Sequence, residues 1–320
     1  MNRVIPWCTV AVLALAATGG AQPTRLWTRF LGPTNAGAQA FAVNVGADHN
    51  VYVAGKADDG FDGQPFVGPH TDAFMTKFNP DGVRAWTRLW GSSDWKNERA
   101  MGIGFDSTGR VYVAGESAGN FDGNTNGIEG YELMFLSKFT ADGTRNWSRL
   151  WGDLDTVTPR RTQGYNLAVD GADCLYVVGE TGGEFDGQTN AGVTDLCVSK
   201  LDASGTRLWT RIWGGGFTDH AQAASVDSAG NLYVAGATSG SGLFSGFDGQ
   251  TNPSPDNFSA CISKFTPNGT WLWSRIWGSI DDDRAYGVAI DKTDSVYVSG
   301  VTRGECLTNA PTRRRSMRPS

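Results

Sequence analysis

The sequence is poor in the residues on which most catalytic and metal sites depend. Its 320 residues include three histidines and five cysteines, and the cysteines do not cluster. The patterns HExxH and CxxC, which mark zinc proteases and redox or metal sites, do not occur. Scattered cysteines in a chain of this length favour buried free thiols over a disulfide framework. Cys197 and Cys261 are predicted to pack inside, because other copies of the repeat described below hold phenylalanine at that place.

Long hydrophobic runs are also missing, so no membrane-spanning segment is predicted. The short apolar run at residues 10–17 follows the positive charge of Arg3 and precedes small residues at positions 19–21. This order is typical of a secretory signal peptide. We therefore expect residues 1–21 to be a signal peptide and the protein to be secreted or held at the cell surface.

Negative charge outnumbers positive charge outside the last twenty residues. The net charge is −6, and residues 301–320 carry five arginines and one glutamate, so the remainder carries −10. An acidic body lacks the basic face that phosphate binding needs, which argues against nucleic acid as a partner. Residues 306–320 are predicted to be an Arg-rich tail that is disordered or marks a truncated end.

What the sequence has in abundance is glycine and tryptophan, arranged in a repeat. A six-residue segment occurs five times at intervals of 59 to 64 residues. A regular period of this size indicates an array of supersecondary units. The copies are WTRFLG from Trp27, WTRLWG from Trp86, WSRLWG from Trp147, WTRIWG from Trp209 and WSRIWG from Trp273.

Each repeat contains four short strands, which we call a, b, c and d in chain order. In the first copy strand a covers residues 41–45, strand b reads VYVAG from Val51, strand c ends in Lys77-Phe78, and strand d is the Trp segment. Asp-Gly or Asn-Gly between strands c and d is a hairpin signal. Asp-x-x-Gly or Asp-x-x-Asp between strands a and b is typical of a turn that the aspartate stabilises.

Four-stranded antiparallel sheets at this period are the blades of a β-propeller, so the predicted fold is an all-β propeller over residues 22–305. Four blades are complete, and a fifth has strands a and b before the pattern ends. The Trp27 strand is a strand d without its own a, b and c. We expect it to close the ring as the outer strand of the incomplete fifth blade.

Together the elements W-T-R-x-W-G, D-x-x-G-N-x-Y-V-A-G, F-D-G-Q-T-N and S-K-F resemble the SBBP-type β-propeller repeats of secreted bacterial proteins. The resemblance covers about residues 26 to 305. It implies a propeller fold and export. It implies no established activity and no ligand residues.

The Trp segment has two interpretations. Trp86, Arg88 and Trp90 share one face of a strand, because side chains alternate, and would form either a sugar-binding platform or a packing surface between blades. Since the triplet recurs in every blade, blade packing is favoured.

The loops suit a ligand better. Antiparallel order places the b–c and d–a loops on one face of the propeller, and these loops are long and rich in aspartate. Each b–c loop carries an FDG segment, whose carboxylate fits either a calcium site or an Asp-Gly turn. The calcium candidates are Asp62, Asp122, Asp186 and Asp248.

The sequence thus predicts a non-catalytic extracellular binding or cell-surface interaction module that meets an extracellular protein or glycan on its acidic long-loop face. Two alternatives remain: an extracellular propeller enzyme, a hydrolase or lyase with its site at the central channel, and a purely structural repeat domain. Charged residues that break the repeat inside the channel would favour the enzyme. The irregular residues to inspect are Arg160, Arg161 and His220.

Overall fold

The computed structural model describes residues 10–16, 24–68, 70–93, 96–120, 123–124, 126, 130–155, 158, 160–240, 247, 249–250, 252, 254 and 256–304. These residues form β-strands joined by turns and loops, and none of them belongs to a helix long and apolar enough to cross a membrane. The strands are β1 (Val10–Ala16), β2 (Thr24–Leu31), β3 (Ala38–Val45), β4 (Val51–Ala57), β5 (Asp72–Phe78), β6 (Arg84–Trp90), β7 (Glu98–Phe105), β8 (Val111–Ser117), β9 (Leu133–Phe139), β10 (Arg145–Trp151), β11 (Thr162–Val169), β12 (Leu175–Thr181), β13 (Asp195–Leu201), β14 (Arg207–Trp213), β15 (Asp219–Val226), β16 (Leu232–Ser239), β17 (Phe258–Phe265), β18 (Trp271–Trp277), β19 (Asp283–Ile290) and β20 (Val296–Thr302).

Four antiparallel sheets hold four strands each, and within every sheet the strands pair in chain order. They are blade 1 (β3–β6), blade 2 (β7–β10), blade 3 (β11–β14) and blade 4 (β15–β18), and their strands are a to d as defined above. Each blade ends on a Trp-rich strand d, as the repeat predicts. The predicted all-β propeller architecture of four-stranded antiparallel blades is confirmed.

The blades pack face to face around their first strands. Strand a of each blade lies against strand a of the next, β3 on β7, β7 on β11 and β11 on β15, so these strands line the centre of the array. The core lies between neighbouring blades. Trp90 of blade 1, 2% exposed, packs edge-on against Phe139 of blade 2 at a centroid distance of 4.9 Å. Cys197 and Cys261 are buried free thiols of this core, as predicted, and Cys174 is a half-buried one.

The Trp segment of strand d joins each blade to the next. Arg88 lies over the ring of Trp86, 5.2 Å from its centroid, and donates from Nε to the carbonyl oxygen of Gly143 in blade 2 at 2.9 Å. Gly143 sits so close to the same indole that a Cβ would collide with it. These contacts confirm the interpretation as blade packing. They recur for Trp27 and Arg29 with Gly82, and for Trp209 and Arg211 with Gly269.

The a–b turns build a second recurring contact, an Asp–Tyr–Lys cluster. Asp170 accepts backbone hydrogen bonds from Ala172 and Cys174, both at 2.9 Å, as the turn signal predicts. Its other oxygen accepts from the Tyr176 hydroxyl at 3.0 Å and lies 3.3 Å from Nζ of Lys200, which also covers the Tyr176 ring. The equivalent clusters are Asp48–Tyr52–Lys77, Asp106–Tyr112–Lys138 and Asp227–Tyr233–Lys264.

The fifth blade is divided between the two ends of the described chain. Strands β19 and β20 form a two-stranded sheet in the positions of strands a and b, with β19 against β15 of blade 4. Strand β2 packs on blade 1 as a preceding strand d would, and Nε1 of Trp27 donates to the carbonyl oxygen of Pro80 at 2.8 Å. Strand β2 thus makes the contact with blade 1 that the prediction requires.

The structure differs from the expected closure of the ring in one respect. Strand β2 pairs with β1, and the β1–β2 sheet is separate from the β19–β20 sheet. The reason is that no strand c bridges strands b and d of the fifth blade among the described residues. Strand β1 lies in the segment predicted to be a signal peptide, which stays a prediction.

Candidate active site on the inner strands

Every strand a carries a β-bulge after its third residue. The bulge leaves Tyr165 of β11 and Gln222 of β15 without a partner residue across the ladder. The glycine of VYVAG permits it, because a Cβ on Gly179 would collide with the carbonyl oxygen of Gln163. Bulges re-aim side chains and are frequent beside functional sites. The residue two places before each bulge differs among the blades and is polar or charged in every copy: Gln39, Arg99, Gln163, His220 and Arg284.

The central contact of the site joins blades 3 and 4. His220, the second residue of β15, makes a close contact through Nδ1 with Oε2 of Glu180 on β12. The Glu180 side chain is 4% exposed and the imidazole 20%. A carboxylate at Nδ1 fixes the orientation of the ring and leaves Nε2 to exchange a proton with a ligand.

Tyr165 extends this contact within blade 3. Its hydroxyl donates to Oε1 of Gln163 at 2.9 Å and also interacts with Glu180. Burial, followed by the negative charges of Glu180 and Glu116, raises the pKa of Tyr165 far above its usual range. The phenol therefore stays protonated at physiological pH and keeps the O–H that it donates to Gln163.

Blade 2 adds a buried carboxyl group to the site. Glu116, 2% exposed, forms an ion pair with Nη1 of Arg99 at 2.6 Å and is hydrogen-bonded to Gln163 of blade 3. Burial raises the pKa of Glu116 to about 7, although the charge of Arg99 acts in the opposite direction. A carboxyl group with such a pKa can give or take a proton near neutral pH.

The fifth blade contributes one further residue to the site, Arg284. The Arg284 guanidinium lies over the ring of Phe258, 3.9 Å from its centroid, and the Phe258 ring is tilted against His220 at 5.2 Å. A connected row thus crosses the interfaces of blade 2 with 3, 3 with 4 and 4 with 5. We call it the inner polar row, and its members are Arg99, Glu116, Gln163, Tyr165, Glu180, His220, Phe258 and Arg284.

The inner polar row lies at the long-loop end of the propeller, because most of its members open strand a or close strand b. A cavity of about 800 Å³ opens at the same end of blade 3. Of the irregular arginines, Arg160 lines this cavity, and the charge of Arg161 acts on the Tyr165 hydroxyl. The polar and aromatic residues of the cavity wall include Trp151, Asp155, Arg160, Glu184, Asp186 and Arg207.

Two of the four calcium candidates, Asp62 and Asp186, belong to the described residues, and Asp122 and Asp248 lie outside them. Asp186 has φ 54° and is followed by Gly187 at φ 70°, the combination of a type I′ turn. Its carboxylate is bound by Nε of Arg207 at 2.5 Å and by Oγ1 of Thr210 at 2.6 Å. The carboxylate therefore ties the loop to strand d rather than to its own turn. Asp62 makes the same contacts with Arg84 and Thr87.

Calcium binding at these loops can be tested directly. We expect Asp186→Asn to lower the melting temperature equally in calcium and in chelator, because Arg207 and Thr210 already engage both carboxylate oxygens. Among the described residues no three His, Cys, Asp or Glu side chains are grouped to hold a metal. Thermal unfolding of the wild-type chain and the variant is the measurement. A calcium-dependent rise that the variant loses would instead establish a metal site.

The acidic long-loop face is smaller than the sequence predicts. Asp153, Asp219 and Asp283 of the d–a loops and following strands are 3%, 0% and 2% exposed. They are buried because they hold the loop backbone: Oδ2 of Asp219, for example, accepts from the backbone N–H of Gly215 at 2.6 Å. Their role is in the structure of the blade junction, and they are not available to a partner.

Residues 115–119 spell G-x-S-x-G, the order of a hydrolase nucleophile elbow, yet the structure does not form one. Ser117 ends strand β8, is 0% exposed and donates from Oγ to Oε1 of Glu98 at 3.0 Å. A nucleophile elbow needs an exposed serine on a strand-to-helix turn. The serine is therefore a blade-junction residue.

No protein-family model matches the chain, and no curated protein matches it. Solved structures resemble its fold. A protein of unknown function from Dyadobacter fermentans has a TM-score of 0.46 at 12% identity, over 84% of this chain and 76% of the other. A catalytically inactive virginiamycin B lyase from Staphylococcus aureus, with quinupristin, gives 0.41 at 9% identity over 93% and 94%. A gluconolactonase from Xanthomonas campestris gives 0.39 at 12% identity over 85% and 72%.

Proposed function

We propose that the protein is an extracellular propeller enzyme, a hydrolase or lyase, whose site is the inner polar row. The observation that carries the proposal is the contact of His220 with Glu180 across the interface of blades 3 and 4. Charged residues that break the repeat at the centre of a propeller are the feature expected of an enzyme rather than of a structural array. The extracellular location rests on the signal peptide predicted for residues 1–21.

The members of the row divide the chemistry among them. His220 takes a proton at Nε2 as the general base, and Glu180 orients its ring and stabilises the imidazolium. Glu116, with a pKa raised by burial to about 7, serves as the second proton-transfer group. Tyr165 donates a hydrogen bond, and Arg99, 38% exposed, is placed to meet a carboxylate or a carbonyl oxygen of the substrate.

The test compares the wild-type chain with His220→Gln. We expect the variant to lose about 10²- to 10⁴-fold in kcat, the usual contribution of a positioned general base. The measurement is turnover of a panel of lactones, carboxylic esters and uronic-acid glycosides, with melting curves recorded on the same samples. Glutamine keeps a polar group against Glu180, so the melting temperature should change little.

His49→Asn is the matched control. His49 is exposed in an a–b turn on the opposite face, has φ 60°, and asparagine adopts this left-handed conformation readily. Equal turnover by the wild-type chain and His220→Gln would show that His220 takes no part in the reaction. If the wild-type chain turns over no member of the panel, the enzyme proposal fails and a non-catalytic binding module is favoured.

A second function, binding of a glycan or an extracellular protein, is supported by the cavity of about 800 Å³ in blade 3. Its volume is in the range of ligand sites, about 300 to 1,000 Å³. Arg160 and Asp155 are exposed at its wall and offer both signs of charge. Glycan binding that Arg160→Ala abolishes, without any turnover by the wild-type chain, would favour this function over the enzyme.

A further inference from the structure

We propose that Asp195 and Asp219 share a proton across the interface of blades 3 and 4, and that this proton holds His220 against Glu180. The pair is a pH-dependent latch on the inner polar row. It is closed while a proton bridges the two carboxyl groups, and it opens when both are ionised. Asp195 and Asp219 are positioning residues, because both are 0% exposed and reach a substrate only through His220. The effect of the latch on turnover rests on the proposed function, in which His220 is the general base.

The two carboxyl groups converge on one point of the interface. Oδ1 of Asp195 and Oδ2 of Asp219 both lie within 2.6 Å of the place that a Cβ on Gly214 would take. Oδ2 of Asp219 accepts from the backbone N–H of Gly215 at 2.6 Å. Oδ1 of Asp195 is buried without a hydrogen-bond partner in the described part of the chain. Two buried carboxylates so close together resist double ionisation, and a proton on Oδ1 of Asp195 gives that oxygen a partner.

The segments that carry the pair are tied to each other through the backbone. The N–H of Asp219 donates to the carbonyl oxygen of Thr194 at 2.8 Å, and the N–H of Thr194 donates to the carbonyl oxygen of Phe217 at 3.1 Å. Oδ2 of Asp195 accepts from the N–H of Ala191 at 2.7 Å. Because backbone donors hold both carboxyl groups, a change in the distance between them moves the segment before β15 relative to blade 3.

The pair lies one residue away from the contact of His220 with Glu180 on both blades. Asp219 and His220 are the first two residues of β15. On blade 3, Asp195 is opposite Thr181, the residue after Glu180. Repulsion between two ionised carboxylates therefore acts directly beside the proposed base. A displacement of about 1 Å can cost a reaction on the order of 10²-fold in rate.

The pair titrates near neutral pH. Burial raises the pKa of Asp195 to about 7, to which the charge of Asp219 adds, and burial raises that of Asp219 to about 6. These two groups interact, so the loss of the last proton belongs to the pair, and the latch opens as the pH rises. Burial also raises the pKa of two neighbouring thiols, which stay uncharged at neutral pH. The titratable groups that face the pair from the described elements packed against it are Glu180, His220, Cys197 and Cys261.

The interface of blades 1 and 2 contains a similar pair with a different neighbour. Oδ1 of Asp72 and Oε2 of Glu98 converge on Gly91, and Oδ1 of Asp72 is also buried without a hydrogen-bond partner among the described residues. The next residue of β7 is Arg99, which forms its ion pair with Glu116 of its own blade. Asp72→Asn is therefore a matched control, because it changes a buried pair that does not adjoin the proposed base.

The experiment follows the Nδ1–H proton of His220 by NMR on the full ¹⁵N-labelled chain from pH 5 to pH 9, and His220→Gln identifies the resonance. In the wild type we expect the resonance at pH 5, because the hydrogen bond to Glu180 slows its exchange with water, and its loss as the pair ionises near pH 7. In Asp195→Asn the side-chain N–H donates to Asp219 at every pH. The resonance should then persist to a pH about one unit higher. Asp72→Asn should match the wild type.

Turnover is the second measurement, on any substrate that the wild-type chain accepts. The ratio of kcat at pH 8 to kcat at pH 6 should be about tenfold higher in Asp195→Asn than in the wild type. Asp72→Asn should again match the wild type, because its buried pair lies at another interface.

A resonance that is lost at the same pH in the wild type and Asp195→Asn would overturn the latch, as would its absence from the wild type at pH 5. Turnover with the same pH profile in both chains would overturn the control of the site and leave the enzyme proposal intact. A shifted resonance without any turnover would confirm that the pair holds His220, and the enzyme proposal would fail alone.

Discussion

Replacing Lys200 by methionine is expected to lower the free energy of unfolding by about 3 to 5 kcal/mol, the usual cost of removing one partner of a buried ion pair. Lys200 and Asp170 have side chains only 8% and 6% exposed, with Nζ and Oδ2 3.3 Å apart. The ammonium also lies 4.8 Å from the Tyr176 ring centroid and donates to the carbonyl oxygen of Pro267 in blade 4 at 2.9 Å. The variant leaves the Asp170 charge buried without its partner and loosens blade 3 from blade 4.

The measurement is denaturant unfolding at neutral pH, followed by tryptophan fluorescence. Lys292→Met is the matched control, because Lys292 is exposed in the a–b turn of the fifth blade. Exposed substitutions of this kind change stability by about 0.5 kcal/mol or less. If Lys200→Met lowered the free energy of unfolding as little as Lys292→Met, the Asp–Tyr–Lys clusters would not be a main source of the stability between blades.

The second large effect is on the pH dependence of stability. Asp195 on blade 3 and Asp219 on blade 4 are both 0% exposed, and their oxygens meet beside Gly214, where a Cβ would collide with both. Burial, together with the charge of Asp219, raises the pKa of Asp195 from about 3.8 to about 7, and burial raises that of Asp219 to about 6. Glu98 and Asp72 form a similar buried pair between blades 1 and 2.

A raised carboxyl pKa means that the folded state binds more protons than the unfolded state. The stability from this source is fully present below the usual carboxyl pKa and is lost as the pH rises through about 6 to 7. Each pKa unit corresponds to roughly 1.4 kcal/mol, so several kcal/mol should disappear between pH 4 and pH 8. Below pH 4 stability should fall again as the pH falls, because carboxyl groups with a lowered pKa become protonated. Hydrogen bonds lower the pKa of Asp291 to about 2, and in Asp48 they outweigh burial and lower the pKa to about 2.

Asp195→Asn tests this account. The amide cannot ionise, so the variant should be more stable than the wild type at pH 8, less so at pH 5, and similar to it only near the usual carboxyl pKa of about 3.8. Asp202→Asn is the control, since hydrogen bonds from Ser204 and Thr206 lower the pKa of Asp202 and place its effect at acid pH. Unfolding curves at a series of pH values decide the matter. A wild-type stability that is flat from pH 5 to pH 8 would contradict the expected result.

Much of the fold was predictable because each signal was local and repeated. The Asp-x-x-Gly turns, the Asp-Gly hairpins and the alternating strands each depend on a few neighbouring residues. The first a–b turn shows the limit of this reasoning. Gly46 stands where other copies have aspartate, yet Asp48, two residues later, reaches Tyr52 and Lys77 and completes the same cluster. Only the positions of the three side chains in space identify Asp48 as the equivalent carboxylate.

The inner polar row was less accessible to sequence reasoning. His220 was singled out as irregular, but nothing in the spacing connects it to Glu180, forty residues earlier on another blade. A signal did exist: the second residue of strand a varies as Gln39, Arg99, Gln163 and His220, whereas the third is alanine or glycine in every copy. Variation beside a position that stays small in every copy is thus the feature to follow.

The sequence by itself determined the blade, its turns and the contacts between neighbouring blades, since these use residues at fixed offsets in every copy. The tertiary structure alone decided which carboxylates are exposed, which titrate near neutral pH and which meet His220. Those properties depend on burial and on side chains from different blades, and no local pattern encodes them. Among the residues that the structure describes, it also decided that β2 pairs with β1 in a sheet separate from that of β19 and β20.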